Sequence, residues 1–180
     1  EPALYVGGQF ESAGAVSARF IARWNGSRWS SLASSGPKAA VNALAVYDDG
    51  SGAALYVGGR FTTAGGGKSL AKWDGVSWSF AGLEMNASVS ALSVHDDGSG
   101  PALFVGGYFT FAVGLSVQHI AKWNGSTWSG LGGGILGGTN SNIRVEAFAT
   151  FDGGTGPELF AGGSFWNIGG ASTAGIARWD

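Results

Sequence analysis

Cysteine is absent from this 180-residue chain, so it has neither a disulfide framework nor a thiolate metal site. Charge is sparse: ten Lys and Arg against twelve Asp and Glu leave a formal net charge of -2, with the cations scattered singly. Nucleic-acid binding needs clustered cations to neutralise phosphates, so DNA and RNA are not expected partners. No apolar run approaches the roughly 20 residues that carry a helix across a bilayer, so no membrane span is expected. The chain opens on Glu1 and Pro2, neither an initiator Met nor a basic, apolar leader, and reads as processed or truncated. A single Met, little charge and much Gly, Ser and Thr resemble exported repeat proteins, which points to a secreted or cell-surface location.

What is present in excess is glycine, 34 residues, together with 8 Trp and 11 Phe. That mixture suits short strands, tight turns and interleaved aromatic packing rather than long helices. Self-comparison supplies the architecture. Leu4-Tyr5-Val6-Gly7-Gly8 returns as Leu55-Tyr56-Val57-Gly58-Gly59, Leu103-Phe104-Val105-Gly106-Gly107 and Leu159-Phe160-Ala161-Gly162-Gly163. The period of about 50 residues lies within the range of propeller repeats. A Phe follows at the same offset each time, at Phe10, Phe61, Phe109 and Phe165.

A second block follows: Ile21-Ala22-Arg23-Trp24-Asn25-Gly26, Leu70-Ala71-Lys72-Trp73-Asp74-Gly75, Ile120-Ala121-Lys122-Trp123-Asn124-Gly125 and Ile176-Ala177-Arg178-Trp179-Asp180. Another Trp arrives shortly after the first three, at Trp29, Trp78 and Trp128, so two strands flank an Asn-Gly or Asp-Gly hairpin turn. A third block precedes the Gly-Gly element: Val41 to Gly50, Val89 to Gly98 and Val145 to Gly153 alternate like strands and end in Asp/Gly turns. One unit thus predicts four antiparallel strands, a propeller blade. The units run 1–40, 41–87, 88–142 and 143–180, with three, four, four and three strands. The expected fold is a single all-β region of three and a half to four β-propeller blades, with open sheet edges that a longer repeat chain or a homo-oligomer would cover. In block order, and in Gly-Gly followed by an aromatic hairpin, the chain resembles kelch-like propeller repeats. The copper chemistry hosted by some kelch-like propellers needs Cys, so it does not carry over, and no cofactor is expected.

Candidate sites each have a structural and a functional reading. The Trp of the second block, Trp24, Trp73, Trp123 and Trp179, suit packing between blades, whereas Trp29, Trp78 and Trp128 on the outer strands are expected to reach solvent and could stack on sugar rings. Asp48, Asp49, Asp96, Asp97 and Asp152 form acidic turns that could offer oxygens to calcium, but adjacent Asp followed by Gly is also ordinary turn chemistry. Gly132 to Gly137 fits a dinucleotide-binding spacing without the βαβ context, and Gly67-Lys68-Ser69 ends like a phosphate loop whose first Gly is replaced by Thr62. Glycosylation sequons start at Asn25, Asn86 and Asn124. The longest departure from the repeat, Gly132 to Asn142, with Phe109, Phe111, Trp166 and Asn167, suggests a polar-aromatic binding surface. His95 and His119 occupy unlike repeat positions, and no acid-base cluster emerges. These residues suggest a non-catalytic binding or structural module that contacts proteins or glycans through propeller loops; the alternative is a multivalent lectin using the repeated Trp, and an enzyme is the remaining reading.

Overall fold

The structure, a computed structural model, describes residues 2–62, 68–80, 82–136, 142–168 and 171–179. Among them every regular element is a strand. Four principal antiparallel sheets follow one another in chain order. The second pairs an opening strand, Val41–Asp48, with a Gly-Gly strand, Ala53–Thr62, then a Trp strand, Lys68–Trp73, and a closing strand, Trp78–Ser79. The third repeats this order with Val89–Asp96, Pro101–Gly107, Ile120–Trp123 and Trp128–Gly130. The first sheet has only the last three, Leu4–Gly7, Ile21–Trp24 and Trp29–Ser31, and the fourth only the first three, Arg144–Asp152, Pro157–Ser164 and Ile176–Trp179. The sequence expectation of all-β structure in antiparallel sheets is met, but the described residues do not form a closed ring of sheets.

Short hairpins that the block pattern did not anticipate leave the Gly-Gly strands before the Trp strands begin. Ser12–Ala13 pairs with Val16–Ser17, and Phe111–Ala112 with Leu115–Ser116. In the last unit, Asn167–Ile168 pairs with Ala171–Ser172 and also with Ile135–Leu136 from the preceding unit. The chain re-enters the Trp strand through a left-handed residue: Phe20, Ser69, His119 and Gly175 all have positive φ. At His119 the backbone NH donates to the Phe109 carbonyl at 2.7 Å, and its own carbonyl accepts from Gly107 at 3.1 Å. These bonds hold a conformation that costs an L-residue about 1–2 kcal/mol.

Strand alternation sends side chains to both faces, and both faces are used. In the second sheet, Leu55 and Val57 pack toward the first sheet with Ile21, whereas Ala54 and Tyr56 pack toward Leu103 and Val105 of the third. The third sheet turns Ala102 and Phe104 toward Leu159 and Ala161 of the fourth. Three apolar layers therefore lie between successive sheets, and this explains why the strands read as nearly continuous apolar runs.

The Gly-Gly pair sets the spacing. A Cβ at Gly106 would lie 2.5 Å from Cγ1 of Val145, the first buried residue of the next opening strand. Gly7 stands in the same way against Val41, and Gly58 against Val89. The second glycine works within its own sheet: a Cβ at Gly107 would strike the Ser88 carbonyl, one at Gly59 the Ala40 carbonyl, and one at Gly163 the Arg144 carbonyl. These carbonyls sit where the opening strands bulge, as between Val89 and Ala91.

Burial differs sharply at one repeat position. Leu103 is fully buried, while Leu4 is 57% exposed. Leu103→Ala is expected to lower unfolding stability by about 2–5 kcal/mol and Leu4→Ala by well under about 1 kcal/mol, measured by urea denaturation.

Candidate functional site

The repeated Trp residues face each other across the hairpin that joins the Trp and closing strands. Trp24 pairs with Trp29, Trp73 with Trp78 and Trp123 with Trp128, at ring-centroid distances of 5.2, 5.1 and 5.2 Å. Trp78 was expected at solvent but is only 9% exposed. Its indole Nε1 donates to the Ala33 carbonyl at 3.3 Å, beneath a linker whose Gly36 leaves no room for a Cβ. Trp128 is half-buried, and its Nε1 donates to the Gly82 carbonyl at 2.7 Å; Trp29 is half-buried beside Gly14. In the second and third units these indoles therefore anchor the linkers arriving from the preceding units. A ring packed in this way has little free face for a sugar to stack on.

The acidic turns are occupied by their own backbone. Asp48 Oδ1 accepts from the amides of Gly50 and Gly52, Asp96 Oδ1 from Gly98 and Gly100, and Asp152 Oδ1 from Gly154 and Gly156. The adjacent Asp49 accepts from Tyr56 OH at 2.7 Å and Lys72 Nζ at 2.5 Å. Asp97 likewise holds Lys122 Nζ at 2.5 Å. Each acid thus closes a turn or neutralises the Lys of its own sheet's Trp strand, and the described residues contain no group of three or more His, Asp or Glu suited to a metal ion. Gly153 replaces the second Asp in the last unit, where Glu158 pairs with Arg178 instead.

The other marked residues separate. Asn25 and Asn124 cap their hairpin turns, accepting from Arg28 N at 2.9 Å and Thr127 N at 2.8 Å. Asn86 bridges two units: its side-chain oxygen accepts from Thr110 N and Phe111 N, and its Nδ2 donates to Thr110 Oγ1. Phe109, expected at a binding surface, is instead fully buried with Met85, Ala112 and Val117. Phe111 is exposed on its own hairpin beside exposed Val113 and Leu115, and Trp166 is exposed next to half-buried Asn167. Pairing of Leu136 with Asn167 does bring the long insertion to that last hairpin. Residues 137–141 of the insertion, including Gly137, and Gly67 of the phosphate-loop pattern lie outside the described residues. His95 is buried edge-on to Phe104, and His119 is buried, its burial pushing the imidazole below its usual value.

A concavity lies at the end of the sheets where opening strands begin and Gly-Gly strands finish. It is an open groove of about 790 Å³ between the second and third sheets, with Lys38, Asn42, Arg60, Asn86, Ser90 and Tyr108 on its walls. Lys38, Arg60 and Tyr108 are exposed, and among the described residues neither cation forms an ion pair. The Arg144 guanidinium of the fourth sheet lies 5.1 Å from the Tyr108 ring centre and is itself paired with Glu146. Sequence reasoning missed this groove, yet it left one signal. The residue after Gly-Gly changes in each unit, Gln9, Arg60, Tyr108 and Ser164, beside an invariant pair.

No protein-family model, curated protein or solved structure matches this chain. Its described residues form an all-β array of repeated antiparallel sheets.

The Lys-Asp turns give the array a defined acid sensitivity. Burial alone would raise Asp97, but hydrogen bonds from Lys122 and Ser99 outweigh it and hold the carboxyl at about 2, against an ordinary 3.8. Asp49 is lowered in the same way by Lys72, Ser51 and Tyr56. A depressed folded-state value stabilises fully above the unfolded value and is lost as pH falls through the folded one. Stability should therefore fall between about pH 4 and pH 2, and Asp97→Asn should flatten that decline while costing about 1–3 kcal/mol at neutral pH, measured by chemical denaturation across that range.

Proposed function

We propose that this chain is a non-catalytic binding module of a secreted or cell-surface protein, its sheets serving as kelch-like propeller blades and its loop-end groove taking the ligand. The observation that carries this reading is the groove between the second and third sheets, whose walls hold exposed Lys38, Arg60 and Tyr108 together with amide and hydroxyl groups. The part of the Tyr108 ring left exposed beside Arg144, with hydrogen-bonding groups around it, suits a sugar ring, and two cations without an ion pair among the described residues suit a carboxylate or sulfate on it. The ligand class favoured is accordingly an acidic glycan. The repeated acidic turns and indoles are engaged in turn and linker hydrogen bonds, which supports reading the scaffold as structural and the groove as the variable part.

Screening of the chain against neutral, uronic-acid and sulfated oligosaccharides, with titration calorimetry of any that bind, tests the proposal. Binding is expected for acidic members only, with Arg60→Ala and Tyr108→Ala each weakening it about tenfold or more and added salt weakening it further. Retention of neutral sugars that is indifferent to Arg60→Ala, or no retention of any glycan, would count against it.

A further inference from the structure

We propose, resting on the assignment of the groove to acidic glycans, that the groove continues past Lys38 into a second subsite beside Arg19, so that its ligand is an acidic oligosaccharide rather than a single sugar. A hollow of about 600 Å³ adjoins the groove, with Ser17, Arg19, Ser31 and Ser34 on its walls and Lys38 shared between the two. Both volumes fall in the range of about 300–1,000 Å³ usual for small-ligand sites. Arg19, Lys38 and Arg60 are exposed, and among the described residues none of them forms an ion pair, whereas Lys72, Lys122, Arg144 and Arg178 each have a carboxylate partner. Among the described residues no Asp or Glu lines either hollow, although acids outnumber Lys and Arg in the chain. Three cations are thus gathered along one path from which acids are missing, and negative charge on a ligand would meet them in turn.

The backbone around the hollow is fixed by the fold. Arg19 stands between buried Ala18, whose NH donates to the Glu11 carbonyl at 3.1 Å, and Phe20, whose NH donates to the Phe10 carbonyl at 2.9 Å. Another wall is the linker that Trp78 holds at the Ala33 carbonyl, with Gly36 and Pro37 buried. Arg60 donates its backbone NH to the Ala40 carbonyl at 3.1 Å, which seats it beside the same linker. A ligand therefore has little backbone to order on binding. The third unit shows what closes such a hollow. Gln118 holds the place of Arg19 there; its carbonyl accepts from Ile135 N at 3.0 Å, and a Cβ at Gly134 would lie 2.4 Å from its Cβ. The longer linker between Gly130 and Arg144 thus lies on that position, whereas the shorter one between Ser31 and Val41 leaves Arg19 exposed beside open space. A polymer with an acid on every sugar that engages Arg60 gains the contact at Arg19 as an intramolecular step, which raises its affinity over that of a short oligomer.

Titration calorimetry with oligogalacturonates of increasing length, which carry one carboxylate per sugar, and with their methyl esters as neutral counterparts tests this. The esters should not bind, and the affinity of the acids should rise about tenfold or more once the oligomer spans both hollows, then level off. Arg19→Ala should remove that rise and leave the shortest binding oligomers unaffected, whereas Arg60→Ala should weaken every length. Arg28→Ala, which removes an exposed cation from the hairpin turn at the opposite end of the first sheet, should change nothing. Circular dichroism checks that each variant is folded. Long oligomers that bind Arg19→Ala as they bind the parent, while Arg60→Ala still weakens them, would overturn the second subsite and leave the groove's assignment standing. Equal losses from Arg19→Ala and Arg28→Ala would also overturn it, since overall charge would then account for the effect. Absence of binding at every length would instead overturn the groove's assignment and the subsite with it.

Discussion

Two packed β-sheets ordinarily stand about 10 Å apart because side chains fill the space between them. In this chain one position on each Gly-Gly strand carries no side chain, and the Val that begins the next opening strand occupies the vacancy. Gly7 with Val41, Gly58 with Val89 and Gly106 with Val145 repeat the same interlock at three successive joints. The arrangement fixes lateral spacing and longitudinal register together, since a Val displaced by one residue would point to the other face. Once it is set, Tyr56 and Phe104, two residues before the interlocked glycine and on the same face, are directed toward the following sheet, and the apolar layers fill around them.

The division between scaffold and variable surface follows from that register. Groups that look chemically active in isolation, the paired Asp and the paired Trp, serve the interlocked sheets: Asp49 and Asp97 hold Lys72 and Lys122, while Trp78 and Trp128 hold the incoming linkers at Ala33 and Gly82. The positions that escape these duties lie just beyond the Gly-Gly pair and at the start of each opening strand. They converge at one end of the sheets, where Arg60, Tyr108, Asn42 and Ser90 form a groove. A repeat scaffold can vary such residues without disturbing its core, which is why loop ends are where binding specificity is built.

Strand order within a unit was legible because each strand has its own signature: Val to Asp-Gly, Leu to Gly-Gly, Ile or Leu to Trp, and Trp onward. The short hairpins were not, since two-residue strands such as Phe111–Ala112 give no periodicity to read. The burial of Trp78 was illegible for a different reason. Its cover is a backbone carbonyl from a linker of the preceding unit, and backbone groups leave no residue-type signal. The groove draws on the Lys38 linker, two opening strands, two Gly-Gly strands and the Asn86 loop, so no contiguous motif announces it. Expecting Phe109 at the surface also failed, because its repetition at Phe61 and Phe165, both buried, marks a core position.

The absent side chain on the first glycine of each pair sets the distance between neighbouring sheets. Equilibrium unfolding of Gly106→Ala beside Gly162→Ala tests it most directly, because the two positions share a motif and differ only in having a neighbour. Val145 presses on the first, and no described residue lies within 4 Å of a Cβ at the second. The account requires Gly106→Ala to lose about 1–3 kcal/mol through overpacking, and Gly162→Ala to be neutral or slightly stabilising through its effect on the unfolded chain. Equal effects at the two positions would contradict it and would mean that the glycines serve the strand itself rather than the joint between sheets.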